Sequence, residues 1–160
     1  MNKLVLDIKV HWELIALAIS NGGEFRLFHK GKSMMPLLRE GVDSVLLTEL
    51  SNEPKKNDIV VYKRSSGELV MHRIVKIKGQ QYVMCGDNHS ELEYGITRDD
   101  ILAKVKGVYR ADTYIDIENN KKYKKYVKKL PLRRLKIRLI DIPIDHLRHP
   151  EKRKHFKKKK

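Results

Sequence analysis

Between residues 24 and 110 the chain is a succession of short runs in which polar residues alternate with apolar or β-branched ones. Alternation with a period of two is typical of half-buried strands. The runs lie at residues 24–29, 44–47, 58–62, 68–78, 80–85 and 101–109, with Gly79 near the turn of a hairpin. Because no helical pattern separates them, this region is predicted to form an all-β sheet or barrel core rather than an α/β fold.

The two ends of the chain differ from this central region. Residues 4–20 carry an incomplete helical stripe that stops at Asn21-Gly22-Gly23, which predicts an N-terminal helix. Residues 111–160 hold 18 Lys+Arg against 6 Asp+Glu, whereas residues 1–110 hold 17 against 14, so the net charge of +15 is concentrated at the C-terminal end. We therefore divide the chain into an N-terminal helix (1–23), a β-rich core (24–110) and a basic tail (111–160), partly helical or disordered.

Composition excludes several classes of protein. A single cysteine, Cys85, excludes an internal disulfide framework and a cysteine-rich zinc site. No apolar run approaches the roughly 20 residues that span a bilayer, and the first residues lack the pattern of a signal peptide. We therefore expect a cytoplasmic protein that uses no cofactor or metal, either soluble or held peripherally at the inner membrane face.

The basic tail contains a short amphipathic segment between Pro131 and Pro143. Its apolar residues have helix-like spacing and are interleaved with arginine and lysine: Leu132, Leu135, Leu139 and Ile140. Three interpretations remain open, namely packing against the β core, lying on an anionic membrane surface, and binding a partner or nucleic acid. For residues 121–160, nucleic acid is less favoured than an anionic membrane because few aromatic side chains are present to stack on bases.

The turn Gly31-Lys32-Ser33-Met34-Met35-Pro36 is a candidate nucleophile site. Gly31 permits a backbone angle that other residues avoid, and Pro36 stiffens the exit from the turn. Such a turn could expose the Ser33 hydroxyl and aim the amide of the same residue at an oxyanion. Taken alone, a Gly-x-Ser sequence is also compatible with an ordinary turn.

A candidate base and a candidate carboxylate follow in chain order. A serine hydroxyl needs a neighbouring base to act as a nucleophile at neutral pH, and His72 lies within a predicted strand of the core. Gly86-Asp87-Asn88 places a carboxylate directly after a strand, where it could orient an imidazole. Each also has an ordinary structural interpretation, as a buried core histidine and as a turn.

In this order, five segments resemble the signal peptidase I / LexA-like serine peptidase superfamily over roughly residues 25–110. They are Gly-x-Ser-Met-x-Pro at 31–36, Lys56–Tyr62, His72–Val75, Gly86-Asp87-Asn88 and Ile101–Val105. The resemblance implies a β-rich catalytic core and hydrolysis of a peptide bond through an acyl-enzyme. A histidine followed by arginine is similar to the archaeal and endoplasmic-reticulum branch of signal peptidases, whereas the bacterial enzymes and LexA-like proteins have lysine at that position.

The resemblance also implies a role for each site residue. Ser33 would be the nucleophile and His72 the general base, a role that suits an imidazole at neutral pH. Asp87 is favoured as the acid that supports the site, and Glu93 is the alternative residue to orient the imidazole. Gly31 stands where signal peptidases usually have a serine, but LexA-like proteins share the glycine, so the Ser33 amide is expected to hold the oxyanion.

Two other functions compete with a peptidase that cleaves other chains. One is a LexA-like self-cleaving regulator, although about 24 residues ahead of the core are too few for a helix-turn-helix domain. The other is a non-catalytic β module that binds an anionic membrane or nucleic acid through its basic tail. The latter leaves the ordered motifs of the core unexplained.

Overall fold

Short strands form most of the structure, a computed structural model that describes residues 12–142. Its mainly β architecture confirms the β-rich core predicted from the alternating runs. The strands are β1 (Glu24–Phe28), β2 (Ser44–Thr48), β3 (Ile59–Lys63), β4 (Leu69–Lys78), β5 (Gln81–Cys85), β6 (Glu93–Ile96), β7 (Ile101–Arg110) and β8 (Thr113–Asp116). The helices are α1 (Trp12–Ile19), continued by a 3₁₀ turn at Ser20–Gly22, and α2 (Lys121–Lys136), continued by a π-helical turn at Ile137–Asp141.

The strands form one antiparallel sheet in the order β1-β2-β7-β3-β4-β5-β6. The long strand β7 pairs with β2 along one edge, and with β3 and β8 in succession along the other. Hairpin connections join β3 to β4 and β4 to β5, so residues 59–85 form a continuous meander. The candidate base lies on β4 of this meander, and the two candidate acids lie in the loop after β5 and on β6.

Strand β3 is buried on both faces, which places it at the centre of the core. Ile59 and Val61 pack into a cluster that also receives Ile15 from α1. Val60 and Tyr62 alternate with them and join a second cluster on the opposite face. Because successive side chains of a strand point to opposite faces, this apolar run is shared between two clusters.

Six of the observed strands lie within two residues of their predicted positions, and two were not predicted. Strand β6 has four residues with a glycine at its third position, and β8 follows a tight turn at Ala111 (φ 53°). Neither is long enough to show a clear alternation. Strand β8 extends the sheet beyond the predicted end of the core at residue 110. Of the predicted N-terminal helix over 4–20, positions 4–11 lie outside the described residues.

The basic tail contributes a long helix that packs on the sheet. The Asn120 side chain begins α2 by accepting a hydrogen bond from the Tyr123 amide (2.9 Å). Pro131 lies inside α2 instead of bounding the helical segment as predicted, and Pro143 lies outside the described residues. A proline in a helix removes one backbone hydrogen bond. Tertiary contacts compensate on both sides, since Tyr123 and Leu130 are buried before the proline and Arg133 bonds the core after it.

The side chains that α2 and its π-helical turn bury are Tyr123, Leu130 and Ile137. They recur every seven residues and so share one side of the helix. The four apolar residues of the predicted amphipathic segment are all exposed: Leu132, Leu135, Leu139 and Ile140. The segment therefore packs on the core through Arg133 and Ile137, and not through these four residues. Within residues 12–142, no helix combines the length and apolar character needed to cross a bilayer.

Candidate active site

The turn that carries Ser33 is anchored on both sides of the serine. Gly31 has φ +94°, a conformation that favours glycine, and its amide donates a hydrogen bond to Glu40 Oε1 (2.8 Å). Met34 is fully buried in the core, and its carbonyl accepts a hydrogen bond from the Leu38 amide (3.0 Å). Ser33, between these anchors, is only partly buried. The turn therefore holds a hydroxyl at the surface on a backbone that packing keeps in place.

Gly86, directly after β5, is the point where the candidate residues converge. A Cβ atom on Gly86 would lie 2.7 Å from the Ser33 carbonyl oxygen and 3.3 Å from His72 Nε2. It would also lie 3.3 Å from His89 Nδ1. The first distance is too short for any side chain, so only glycine allows this approach. The Asn88 amide then donates to the Ser33 carbonyl (2.8 Å), which ties the serine turn to the loop after β5.

The ring of His72 is oriented by a carboxylate. His72 lies on β4 with only 4% of its surface exposed, and its Nδ1 is 3.0 Å from Glu93 Oε1 on β6. The Tyr62 hydroxyl is 3.2 Å from the same nitrogen. An ionised carboxylate only accepts hydrogen bonds, so Nδ1 must be the donor. In the neutral imidazole this leaves the lone pair on Nε2, the nitrogen that faces Gly86.

The charge of Glu93 is secured by its neighbours. Arg64 binds both of its oxygens, with Nε–Oε2 and Nη2–Oε1 distances of 2.7 and 2.6 Å. Burial alone would raise the pKa of Glu93, but hydrogen bonds from His72, Arg64 and Tyr62 outweigh it and hold that pKa well below its usual range. Glu93 is therefore an anion at neutral and mildly acidic pH.

Asp87 has a different partner. Its oxygens Oδ1 and Oδ2 accept hydrogen bonds from Arg73 Nε (2.7 Å) and Nη2 (2.6 Å), and both side chains are fully buried. Tyr126 of α2 donates to Asp87 Oδ2 (2.9 Å). Arg73 Nη1 donates to the Tyr123 hydroxyl (2.7 Å) and to the Asn57 carbonyl (2.8 Å). Asp87 thus joins β4, the loop after β5 and α2.

The two candidate acids are therefore separated by geometry. His72 and Arg73 are neighbours on a strand, and their side chains point to opposite faces of the sheet. Glu93 accepts a hydrogen bond from His72, and Asp87 accepts one from Arg73. The structure brings the Ser33 carbonyl and His72 Nε2 together at Gly86 and sets Glu93 against the other ring nitrogen of His72. Asp87 is instead bound by Arg73.

Two features bear on how the Ser33 turn would act. Its amide donates no hydrogen bond to any residue between 12 and 142, which leaves the N–H available to an oxyanion. Over the same residues no hydrogen bond joins the Ser33 hydroxyl to His72. Such contacts are often long in unliganded sites and shorten when substrate binds.

Helix α2 borders the site as well. Arg133 donates to the Asp87 carbonyl (3.3 Å) and to Asn88 Oδ1 (2.8 Å), and so connects α2 to the residue that binds the Ser33 carbonyl. An apolar groove of about 410 Å³ lies between α2 and Pro36, three residues beyond the serine. The groove is lined by Pro36, Tyr126, Lys129, Leu130, Leu132, Arg133 and Lys136.

Sequence reasoning missed several residues of the site. Glu93 is bound by Arg64 and Tyr62, and the loop after β5 is bound by Arg133. Nothing in the local sequence marks these three residues, because their partners are distant in the chain. His89 was within the segment after β5, and only the approach of its ring to Gly86 draws attention to it. Within residues 12–142, no cluster of three histidine, cysteine or acidic side chains is suited to a metal.

No family model, no curated protein and no solved structure matches the chain. What the site can do therefore follows from its own groups. They are a hydroxyl on an anchored turn, an imidazole whose Nε2 lies beside Gly86 next to that turn, and an anion on the other ring nitrogen. Together they can remove a proton from a hydroxyl and stabilise the imidazolium that results.

Proposed function

We propose that the protein is a serine endopeptidase in which Ser33 is the nucleophile, His72 the general base and Glu93 the residue that orients the base. The observation that carries the proposal is the contact of 3.0 Å between His72 Nδ1 and Glu93 Oε1. It directs the basic nitrogen of a nearly buried imidazole towards the serine turn. A histidine that served packing alone would need no anion in this position.

The proposed reaction has two stages. His72 Nε2 takes the hydroxyl proton as Ser33 Oγ bonds to the scissile carbonyl carbon, and the Ser33 amide donates to the resulting oxyanion. The tetrahedral intermediate collapses, the C–N bond breaks, and the imidazolium returns the proton to the leaving amine. Water then attacks the acyl-enzyme, with Nε2 as base, and the acid product and free Ser33 are released. Glu93 stays ionised and stabilises the imidazolium in both stages.

The choice of a peptide as substrate is supported by the sequence resemblance to the signal peptidase I / LexA-like superfamily. The structure adds a compatible surface, because the apolar groove between Pro36 and α2 adjoins the serine turn. A groove with apolar walls and cationic side chains at its rim suits a peptide segment with an apolar side chain.

Cleavage of a mixed peptide library tests the proposal. We expect the wild-type chain to produce new peptide termini, detected by mass spectrometry, and His72→Gln to produce them at least about 10²-fold more slowly, the usual contribution of a general base. Glutamine retains a polar side chain but cannot take up the proton.

Lys76→Gln is the matched control, because it removes an ionisable group from an exposed position on the same strand. Its rate should equal that of the wild type. A loss confined to His89→Gln would assign the base to His89 and not to His72. If the wild-type protein produced no new peptide termini, the proposed peptidase activity would be wrong.

The pH dependence of the same reaction tests the role of Glu93. In the wild type, cleavage should slow on acidification as the imidazole becomes protonated, whereas Glu93 stays ionised because its pKa is held well below the usual range. Glu93→Gln is expected to lower kcat by about 10²-fold. It should also move the acid limb of the pH–rate profile to lower pH, because the imidazolium loses the anion that stabilises it.

Glu49→Gln provides the comparison, because it removes a carboxylate from an exposed position directly after β2. This variant should retain the wild-type profile. If Glu93→Gln lowered the rate without moving the acid limb, Glu93 would be a structural residue and not one that positions the base.

A further inference from the structure

The outer side of α2 and its π-helical turn exposes an apolar surface. Two residues apart on the helix, Leu130 is 2% exposed and Leu132 is 71% exposed, so the helix has apolar side chains on opposite sides. The exposed set, here termed the leucine face, is Leu132 (71%), Leu135 (52%), Leu139 (61%) and Ile140 (47%). Large aliphatic side chains exposed together, and not scattered singly, are typical of an interaction surface.

Cationic side chains surround the leucine face. The segment 121–138 contains ten lysine and arginine residues and no acidic residue. Arg133 and Arg134 turn inwards towards Asp87 and its loop. The others are exposed: Lys121, Lys122, Lys124, Lys125, Lys128, Lys129, Lys136 and Arg138. The partner of this surface must therefore accept aliphatic side chains and supply negative charge at the same time.

We propose that the leucine face is a docking surface for an anionic lipid bilayer. The aliphatic side chains enter the boundary between headgroups and acyl chains, while the surrounding lysines bind the headgroups. A second copy of the chain is a poor partner, because a symmetric contact through this face would bring two sets of lysines together. Nucleic acid is also a poor partner, because the leucines occupy the part of the surface that phosphates would contact.

The leucine face is continuous with the neighbourhood of the proposed active site. Leu132 belongs to the face and also lines the apolar groove beside Pro36. This consequence rests on the proposed function: a docked enzyme would hold the Ser33 turn close to the bilayer, where membrane-associated peptides are its substrates. The docking itself depends only on α2 and its π-helical turn.

Co-sedimentation of the full chain with vesicles tests the docking. We expect strong binding to vesicles of phosphatidylcholine and phosphatidylglycerol, weak binding to phosphatidylcholine alone, and loss of affinity as salt is added. The triple variant Leu132→Ser/Leu135→Ser/Leu139→Ser should bind at least tenfold more weakly. Its thermal unfolding should match that of the wild type, because the three side chains are exposed.

The matched control is Leu14→Ser/Leu17→Ser, which removes two leucines of similar exposure from α1 (64% and 73%) and should leave vesicle binding unchanged. Ser33→Ala should also bind like the wild type, which separates a failure of docking from a failure of the peptidase. Undiminished binding of the triple variant would overturn the proposal, since charge alone would then suffice. A second result would also overturn it: the wild type does not bind vesicles but self-associates or binds duplex DNA, and the triple variant loses that binding.

Discussion

Ser33→Ala is expected to abolish cleavage of any peptide that the wild-type chain hydrolyses, with a fall in kcat/KM of at least about 10³-fold. The substitution removes one oxygen atom from a partly exposed side chain and leaves the Ser33 backbone, which Asn88 binds, in place. The variant should therefore fold as the wild type does. The measurement is the rate of a single peptide chosen from the library products, followed at matched protein concentrations.

Ser66→Ala is the control for this experiment, because Ser66 is an exposed serine in the turn between β3 and β4. It should cleave at the wild-type rate. If Ser33→Ala kept that rate, Ser33 would not be the nucleophile and the acyl-enzyme mechanism would be wrong. If Ser33→Ala and His72→Gln each lost activity, a double variant should lose little more, because residues that act as a unit are not additive.

Asp87→Asn is expected to lower the free energy of unfolding by about 3–5 kcal/mol, the usual effect of breaking a buried ion pair by removal of one charge. The reason is that Arg73, with a fully buried guanidinium, would lose its anion. For a chain of this size the melting temperature should fall by roughly 10 °C. Thermal and urea unfolding measure the change. Asp99→Asn, at an exposed position, should leave both quantities near the wild-type values.

The loss of stability in Asp87→Asn should be concentrated where α2 meets the sheet. Tyr123 and Tyr126 of α2 bond the members of the Arg73–Asp87 pair, so weakening the pair loosens the helix. A protease specific for lysine and arginine should then cut within residues 121–136 faster in Asp87→Asn than in Asp99→Asn. Arg73→Met/Asp87→Asn should be less destabilised than the two single changes predict together, because no buried charge remains unpaired. Full additivity would show that the pair is not coupled.

The candidate site was predicted only in part, and the two acids show why. Asp87 and Glu93 both follow β5, and nothing in their local sequence separates an acid that orients an imidazole from one that binds an arginine. The distinction arises from the sheet. Strand β6 folds back on β5 so that Glu93 pairs with Met84, and from this position its carboxylate reaches Nδ1 of His72 on β4.

The basic tail shows a second limit of sequence reasoning. Hydrophobic spacing predicted helix correctly, but a pattern with apolar residues on several sides of a helix does not say which side faces the core. Tertiary contacts decide it: the Tyr123 hydroxyl is drawn to the buried Arg73, and Leu130 and Ile137 lie on the same side as Tyr123. Once that side is inward, Leu132 and Leu135 must face outward.

The sequence by itself determined the strands of the central meander, the flexible glycine before Ser33 and the concentration of positive charge near the C-terminal end. These features are local, since alternation, backbone freedom and charge are properties of short segments. Only the tertiary structure decided that Glu93 orients His72, that Asp87 is committed to Arg73, and that the leucine face points outward. Each of these depends on side chains that are far apart in the chain and meet only when the sheet and α2 pack together.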